Sequence, residues 1–298
     1  HNKKSAWIEL SQASGIMHIN ENERNVLRAS TYGTGILIKH ALDSGCQEII
    51  LGVGGSATND AASGIFQALG GYLLDIKRKQ IEKGGADLCR LASIIDPKIN
   101  RSVKWKIACD VINPLIGKNG ASAIYGPQKG ASEDEIKILE NSLLNFSKVI
   151  KKHFGRSISK IKGGGAAGGV AAGMFGFFNA KLFSGFTILS EIFNLESKIK
   201  SADLIFTGEG KIDSQSFNGK LIGKLGGMAK ENKIPIICLV GSKEKGLDDR
   251  FYENGLTKVF SIQKEQMTIE ESKSNASLLL SKTAGKVLEQ YIGSKLTF

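Results

Sequence analysis

Three times along this chain a short apolar run gives way to glycine and then to a helical pattern. Glu48–Val53 (EIILGV) leads into Gly54–Asp60 and a helix from about Ala61. Ala202–Thr207 (ADLIFT) leads into Gly208-Glu209-Gly210 and an amphipathic stretch near Lys220–Glu231. Ile234–Val240 leads into Gly241-Ser242 and another helical segment before Val259–Ile262. Strands alternating with helices at this spacing specify parallel βαβ units, because parallel neighbours need a crossover. In such sheets the functional loops lie beyond the carboxyl ends of the strands, where these glycines fall. The expected fold class is therefore α/β. A boundary near 198 separates residues 1–198, which carry the glycine-rich phosphate or substrate loops, from residues 199–298, where the parallel βαβ pattern is clearest.

Composition bounds the reading. Glycine supplies 36 of 298 residues without a collagen-like period, so the excess belongs to tight loops. Net charge is +11, which suits nucleic acid, an anionic surface or anionic small substrates. The lysines are spread along the chain and aromatic residues are few, which favours a solvated surface over a base-stacking platform. Cys46, Cys89, Cys109 and Cys238 form no Cys-x-x-Cys pair, and Cys109 and Cys238, inside apolar strand-like runs, read as reduced core residues of a cytoplasmic protein. No apolar stretch reaches the length of a membrane span, so no membrane partner is expected, and the dispersed lysines with few aromatics leave no nucleic-acid partner expected either.

Further helices are expected over Gly33–Ser44, Glu133–His153 and about Thr268–Ile292, and strands over Ala6–Leu10 and Lys104–Cys109.

Five segments could carry chemistry. Gly54, Gly55, Ser56, Thr58, Asn59 and Asp60 form a glycine and hydroxyl loop between a strand and a helix, where amides can cradle an anion. It matches neither the Walker pattern nor the dinucleotide fingerprint, and a tight turn capped by Thr58 or Asn59 would read the same way. Gly208, Glu209, Gly210, Lys211 and Asp213 place two carboxylates and a lysine behind a strand. Carboxylates there can hold Mg²⁺ or take a hydroxyl proton, and a lysine can neutralise phosphate oxygens; a solvated loop is the plainer alternative. Gln128 and Lys129 sit on a proline turn, Gly126–Gly130. Asp110 ends a strand, as a ligand-facing carboxylate or a turn initiator. The small residues Gly163–Gly169 admit either a ligand or a closely packed helix. Phosphate-friendly loops with lysines and carboxylates, in a chain whose histidines have no metal-like spacing, favour phosphoryl transfer, in which positioning and charge stabilisation dominate.

Four blocks, GVGGSATNDAASGIFQALG (Gly52–Gly70), ACDVINPLIGKNGASAIYGPQKGAS (Ala108–Ser132), GGGAAGGVAAG (Gly163–Gly173) and ADLIFTGEGKIDSQSFNGK (Ala202–Lys220), resemble successive blocks of the bacterial glycerate kinases of the type-1 family. AWIELSQASGI (Ala6–Ile16) and TYGTG (Thr31–Gly35) match in the same order. The resemblance implies ATP-dependent phosphorylation of D-glycerate with Mg²⁺ accompanying the nucleotide, 2-phosphoglycerate being favoured over 3-phosphoglycerate. It also implies two α/β domains, a mixed one over residues 1–198 and a Rossmann-like one with a parallel sheet over residues 199–298, with the active site in the cleft between them, and a homodimer is weighed alongside. Family members carry an additional N-terminal segment of some eighty residues, which would supply the opening strands of the Rossmann-like domain. This sequence shows neither of that segment's blocks, so that sheet is expected to be incomplete. Ala61-Ala62-Ser63 departs from the family's glycines, a change expected to be tolerated in a helix.

On residue chemistry, Gly54–Thr58 and Lys129 are expected to hold the anionic end of the ligands. Glu209 and Asp213 orient Mg²⁺ or the attacking hydroxyl, Asp110 is the rival base, and Lys211 neutralises the transferring group. A dinucleotide-dependent oxidoreductase and a basic nucleic-acid-binding protein are the alternatives.

Overall fold

The computed structural model describes residues 4–295 apart from 101, 214–215, 217–220, 245, 247 and 264–266. The chain divides into two compact units, His1–Gly185 and Phe186–Phe298. The sequence reading draws its line at residue 198.

The first unit is built on a four-stranded parallel sheet in the order β1-β2-β5-β6. These strands are β1 (Ser5–Glu9), β2 (Glu48–Gly52), β5 (Lys104–Ala108) and β6 (Lys181–Phe183); β3 (Tyr72–Leu74) and β4 (Ser93–Ile95) form a separate antiparallel pair. Ile8, Ile49, Leu51, Trp105 and Ile107 enter one core together with Ile38 of α2 (Tyr32–Asp43), reached from β1 by way of the single turn α1 (Ser11–Ser14). That core also takes Ile65 of α3 (Ser63–Ala68) and Val170, Ala171 and Met174 of α6 (Ala166–Phe178). Glu48, Lys104 and Lys106 alternate onto the opposite face, as the two-residue period requires.

A second core lies between α6 and the long α5 (Glu133–Phe154), where Phe66, Phe146 and Phe177 pack together. The boundaries of α5 are dictated locally. Ser132 and Glu135 make a reciprocal capping box, three acidic residues occupy the first turn, Lys151, Lys152 and His153 the last, and Gly155 closes the helix at φ +72°. The short α4 (Ala121–Tyr125) precedes a 3-10 turn at Pro127–Lys129.

The second unit holds a parallel sheet in the order β7-β8-β9. After α7 (Gly185–Phe193) and α8 (Leu195–Lys200) come β7 (Ile205–Ile212), α9 (Leu221–Glu231), β8 (Ile236–Lys243), α10 (Asp248–Glu253) and β9 (Lys258–Ser261). One core joins Ile212, Ile222, Ile236, Cys238 and Phe251; a smaller one joins Ile237 and Leu239 to Val287.

The structure corrects four local readings. Gly208-Glu209-Gly210 is not a turn: it lies inside β7, with Glu209 paired to Val240 and Lys211 to Ser242. Gly208 serves close approach instead, since a β-carbon on it would strike the Leu239 carbonyl, and Gly241 does the same on β8 against the Gly210 carbonyl, whereas a β-carbon on Gly210 would meet no such obstacle. Gly241-Ser242 likewise continues β8 to Lys243. The helix expected from Ala61 starts at Ser63, because Ala61 and Ala62 adopt left-handed φ of 48° and 61°. The closing helix is two, α11 (Ile269–Ser274) and α12 (Ala276–Lys295), separated at Asn275.

Candidate active site

The Gly54–Asp60 loop leaves the carboxyl end of β2, and Asp110 leaves the carboxyl end of β5. The two strands are neighbours, with Gly52 opposite Ala108, so both segments emerge on the same side of one sheet edge. Ligands of open parallel sheets bind at that end. Asp110 is exposed, and its Oδ1 accepts a hydrogen bond from the Gly185 amide at 3.1 Å.

The loop is held at three points. Lys129, 2% exposed, inserts its ammonium from the 3-10 turn and donates to Ser56 Oγ at 2.8 Å and the Thr58 carbonyl at 2.6 Å. Asn59 Nδ2 donates to Ser122 Oγ of α4 at 3.1 Å. Asp60 is wholly buried: its Oδ2 accepts from the Thr31 amide at 2.8 Å, Thr31 Oγ1 at 2.9 Å and the Gly64 amide at 3.2 Å. Burial raises the Asp60 carboxyl, opposed by the bonds from Thr31 and Gly64. Burial pulls the Lys129 ammonium down to about 7, and Asp60 acts in the opposite direction. Gln128 shares the turn and is exposed.

The second glycine segment forms the floor. Ala167, Gly168 and Gly169 are all left-handed, and the Gly168 carbonyl accepts from the Ala61 amide at 3.1 Å. A β-carbon on Gly168 would collide with the Thr58 carbonyl, so the two glycine-rich segments touch backbone to backbone. That contact explains why small residues are needed at Gly163–Gly169.

In the second unit, Glu209 and Asp213 lie at the carboxyl end of β7 and are both partly buried, whereas Lys211 between them is exposed. The Ser216 hydroxyl donates to Glu209 Oε1 and accepts from the Asp213 amide at 3.1 Å, joining the two acidic residues. Burial, and then the charge of Glu209, pushes the Cys238 thiol up to about 12. Two carboxylates on one strand end are hard oxygen donors, a set that suits Mg²⁺, which takes its remaining ligands from water and phosphate. Among the described residues, no group of three or more His, Cys, Asp or Glu could hold a metal by protein ligands alone. The rest of that block, Ser214–Lys220 apart from Ser216, lies outside the described residues.

Thus Ser56, Thr58, Asn59, Asp60 and Lys129 converge in one unit, with Asp110 at the same sheet edge, and in the other Ser216 links Glu209 to the Asp213 backbone. Sequence reasoning missed Thr31, Ser122 and Ser216. A hydroxyl alone carries no signal for them, although Thr31 opens the TYGTG block. A cavity of about 780 Å³ opens elsewhere, where Glu48, Lys104 and Lys181 begin their strands. Its position at the amino ends of β2, β5 and β6 sets it apart from the loop.

Residues 1–292 match the glycerate kinase family model. The chain belongs to the glycerate kinase family. It is 42% identical over 289 residues to a glycerate kinase of Halalkalibacterium halodurans, covering 96% of this chain and 76% of that protein. Identity to the glycerate 2-kinase of Escherichia coli K12 is 42% over 273 residues, 90% of this chain and 71% of that one. The crystal structure of a Salmonella typhimurium LT2 protein assigned as glycerate kinase 2 superposes with a TM-score of 0.86 at 39% identity, covering 98% of this chain and 77% of that one. Glycerate kinase membership selects the first of the three functional readings, an enzyme with a two-unit α/β fold. Among the described residues no helix is long and apolar enough to cross a membrane.

Proposed function

We propose that this chain transfers the γ-phosphoryl group of Mg-ATP to a hydroxyl of D-glycerate, giving 2-phosphoglycerate in preference to 3-phosphoglycerate. The observation that carries the reading is the family match over residues 1–292, with the 2-product supported by the likeness to a glycerate 2-kinase.

Each reactant is anionic, so the chain's own task is to position negative groups and offset their charge. Lys129 and the Gly54–Thr58 amides hold the anionic end of a ligand; two donor bonds of the ammonium are used internally, and a lysine has three protons to give. Glu209 and Asp213 would hold Mg²⁺ or orient the attacking hydroxyl, and Lys211 offsets charge on the transferring group. Bound there, Mg²⁺ would neutralise phosphate oxygens. Asp110, whose Oδ1 accepts from the Gly185 amide, is the rival base for the hydroxyl proton. Working in the cytoplasm as a homodimer completes the reading, and light scattering of the purified protein checks the assembly.

The decisive assay is ADP release from Mg-ATP with and without D-glycerate, followed by phosphorus NMR of the product. Glycerate-dependent release with a 2-phosphate signal is expected; release that is independent of glycerate, or absent, would refute the reading.

A further inference from the structure

The proposed reaction makes no use of the cavity of about 780 Å³ at the amino ends of β2, β5 and β6. Every residue that lines it belongs to the first unit. The proposed anion loop leaves the opposite, carboxyl end of β2.

Strand register builds one wall. Lys104 and Lys106 stand two residues apart on β5 and share a face, and Lys181 of β6 is the lateral neighbour of Lys106. The lining sets one carboxylate on that face, Glu48 of β2, the lateral neighbour of Lys104. Its Oε1 lies 3.5 Å from Lys106 Nζ, and its Oε2 accepts from Ser5 Oγ at 2.9 Å. The other carboxylate of the lining, Asp96, faces His153 Nε2 at 3.3 Å. Lys104 and Lys181 are exposed and form no ion pair among the described residues. Three lysines thus crowd one carboxylate, and like charges on neighbouring positions repel. A bound anion would offset that repulsion.

The other wall is aromatic. Trp105 points to the opposite face of β5 and stacks on Phe178 at the end of α6, with ring centroids 4.7 Å apart. Phe154 and Phe183 line the same space and are partly exposed. Arg156 is already engaged, donating from Nη1 to the Gly176 and Phe177 carbonyls at 2.7 and 3.3 Å. A concave space of this size, with apolar rings and a few charged groups, is the usual make of a small-molecule site. An inorganic anion would use the lysines alone and leave the rings against water.

We propose that this cavity is a second binding site, for an organic anion that carries a flat aromatic body. Lys104 and Lys181 take the charged group, and Trp105, Phe178 and their neighbours take the ring. The assignment concerns binding and does not rest on the phosphoryl-transfer reading.

The probe is 1-anilinonaphthalene-8-sulfonate, an aromatic anion. It is titrated into Trp7→Phe protein, in which Trp105 is the remaining tryptophan of the two. The expected result is saturable quenching of Trp105 emission at one probe per chain, unchanged by Mg-ATP and D-glycerate together. Lys104→Glu combined with Lys181→Glu should weaken binding about tenfold or more, with the circular dichroism spectrum unaltered. An unchanged affinity in that variant, displacement of the probe by the substrates, or no saturable quenching would overturn the proposal.

If the charge-reversed variant does not fold, the neutral N-phenyl-1-naphthylamine decides the matter on the Trp7→Phe protein. It should bind about tenfold or more weakly than the sulfonate, and equal binding would refute a site for anions. Both titrations need no turnover. An enzyme silent toward glycerate would therefore sink the functional reading, while the titrations alone would decide the cavity.

Discussion

Gly173 of α6 packs directly against the carbonyl oxygen of Ala61, leaving no space for a β-carbon. The obstacle is backbone, so it cannot swing aside as a flexible side chain would. Gly173→Ala should cost about 3 kcal/mol or more, at the upper end of what overpacking does. Urea denaturation monitored by circular dichroism measures it. Gly285→Ala supplies the contrast: nothing stands within 4 Å of that position in α12, so the same change should stabilise by up to about 1 kcal/mol.

Ala61 and Ala62 are held at φ of 48° and 61°, where a side chain costs roughly 1–2 kcal/mol per residue. Glycine removes that penalty, while losing one buried methyl worth about 0.8 kcal/mol and gaining freedom in the unfolded chain. Ala62→Gly should therefore change stability by no more than about 1 kcal/mol, whereas Ala62→Val should lose several times that. Thermal melts of the two variants make the comparison.

Lys129 carries a pH signature in stability. The folded amine releases its proton near pH 7, and the unfolded one near its ordinary value of 10.5. Between these values the unfolded chain holds more protons, so this group makes stability rise with pH, by at most about 1.4 kcal/mol per pH unit. Lys129→Met should erase that slope, so the stability difference between variant and wild type should move steadily in favour of wild type from pH 7 to pH 10. Denaturant midpoints across that range would show it, and a parallel displacement at all pH values would contradict it.

Ser216 bridges Glu209 and the Asp213 amide, and in the proposed reading those two carboxylates hold Mg²⁺. Ser216→Ala should raise the Mg²⁺ concentration for half-maximal rate about tenfold, the usual scale for losing an outer-shell partner. Steady-state rates at saturating glycerate and varied Mg²⁺ provide the check.

Much of the fold is legible in the residues. Glu48–Gly52 and Ile236–Val240 are apolar runs of strand length, and Ser132 with Glu135 marks the start of α5 unaided. Glycine and alanine misled in opposite directions. Gly208 and Gly210 carry the composition of a turn but lie inside a strand, and only Gly208 is held to glycine by contact, with the Leu239 carbonyl on β8. Ala61 and Ala62 carry the propensity of a helix but are forced left-handed where the Gly168 carbonyl and Gly173 close on them. Lys129 could be nominated from its turn; Thr31, which fixes Asp60, could not, because its meaning depends on a carboxylate twenty-nine positions away.

The pairing of the Ala61 amide with the Gly168 carbonyl bears on how the protein is made. The two halves of this floor lie roughly a hundred residues apart in sequence, a separation that slows folding through the entropy of closing so long a loop. A nascent chain has synthesised Ser56, Asp60 and Lys129 long before α6 leaves the ribosome. Until then the loop lacks the surface that shapes it, so the segment to which the proposed reading gives the anion takes its final form only after α6 arrives.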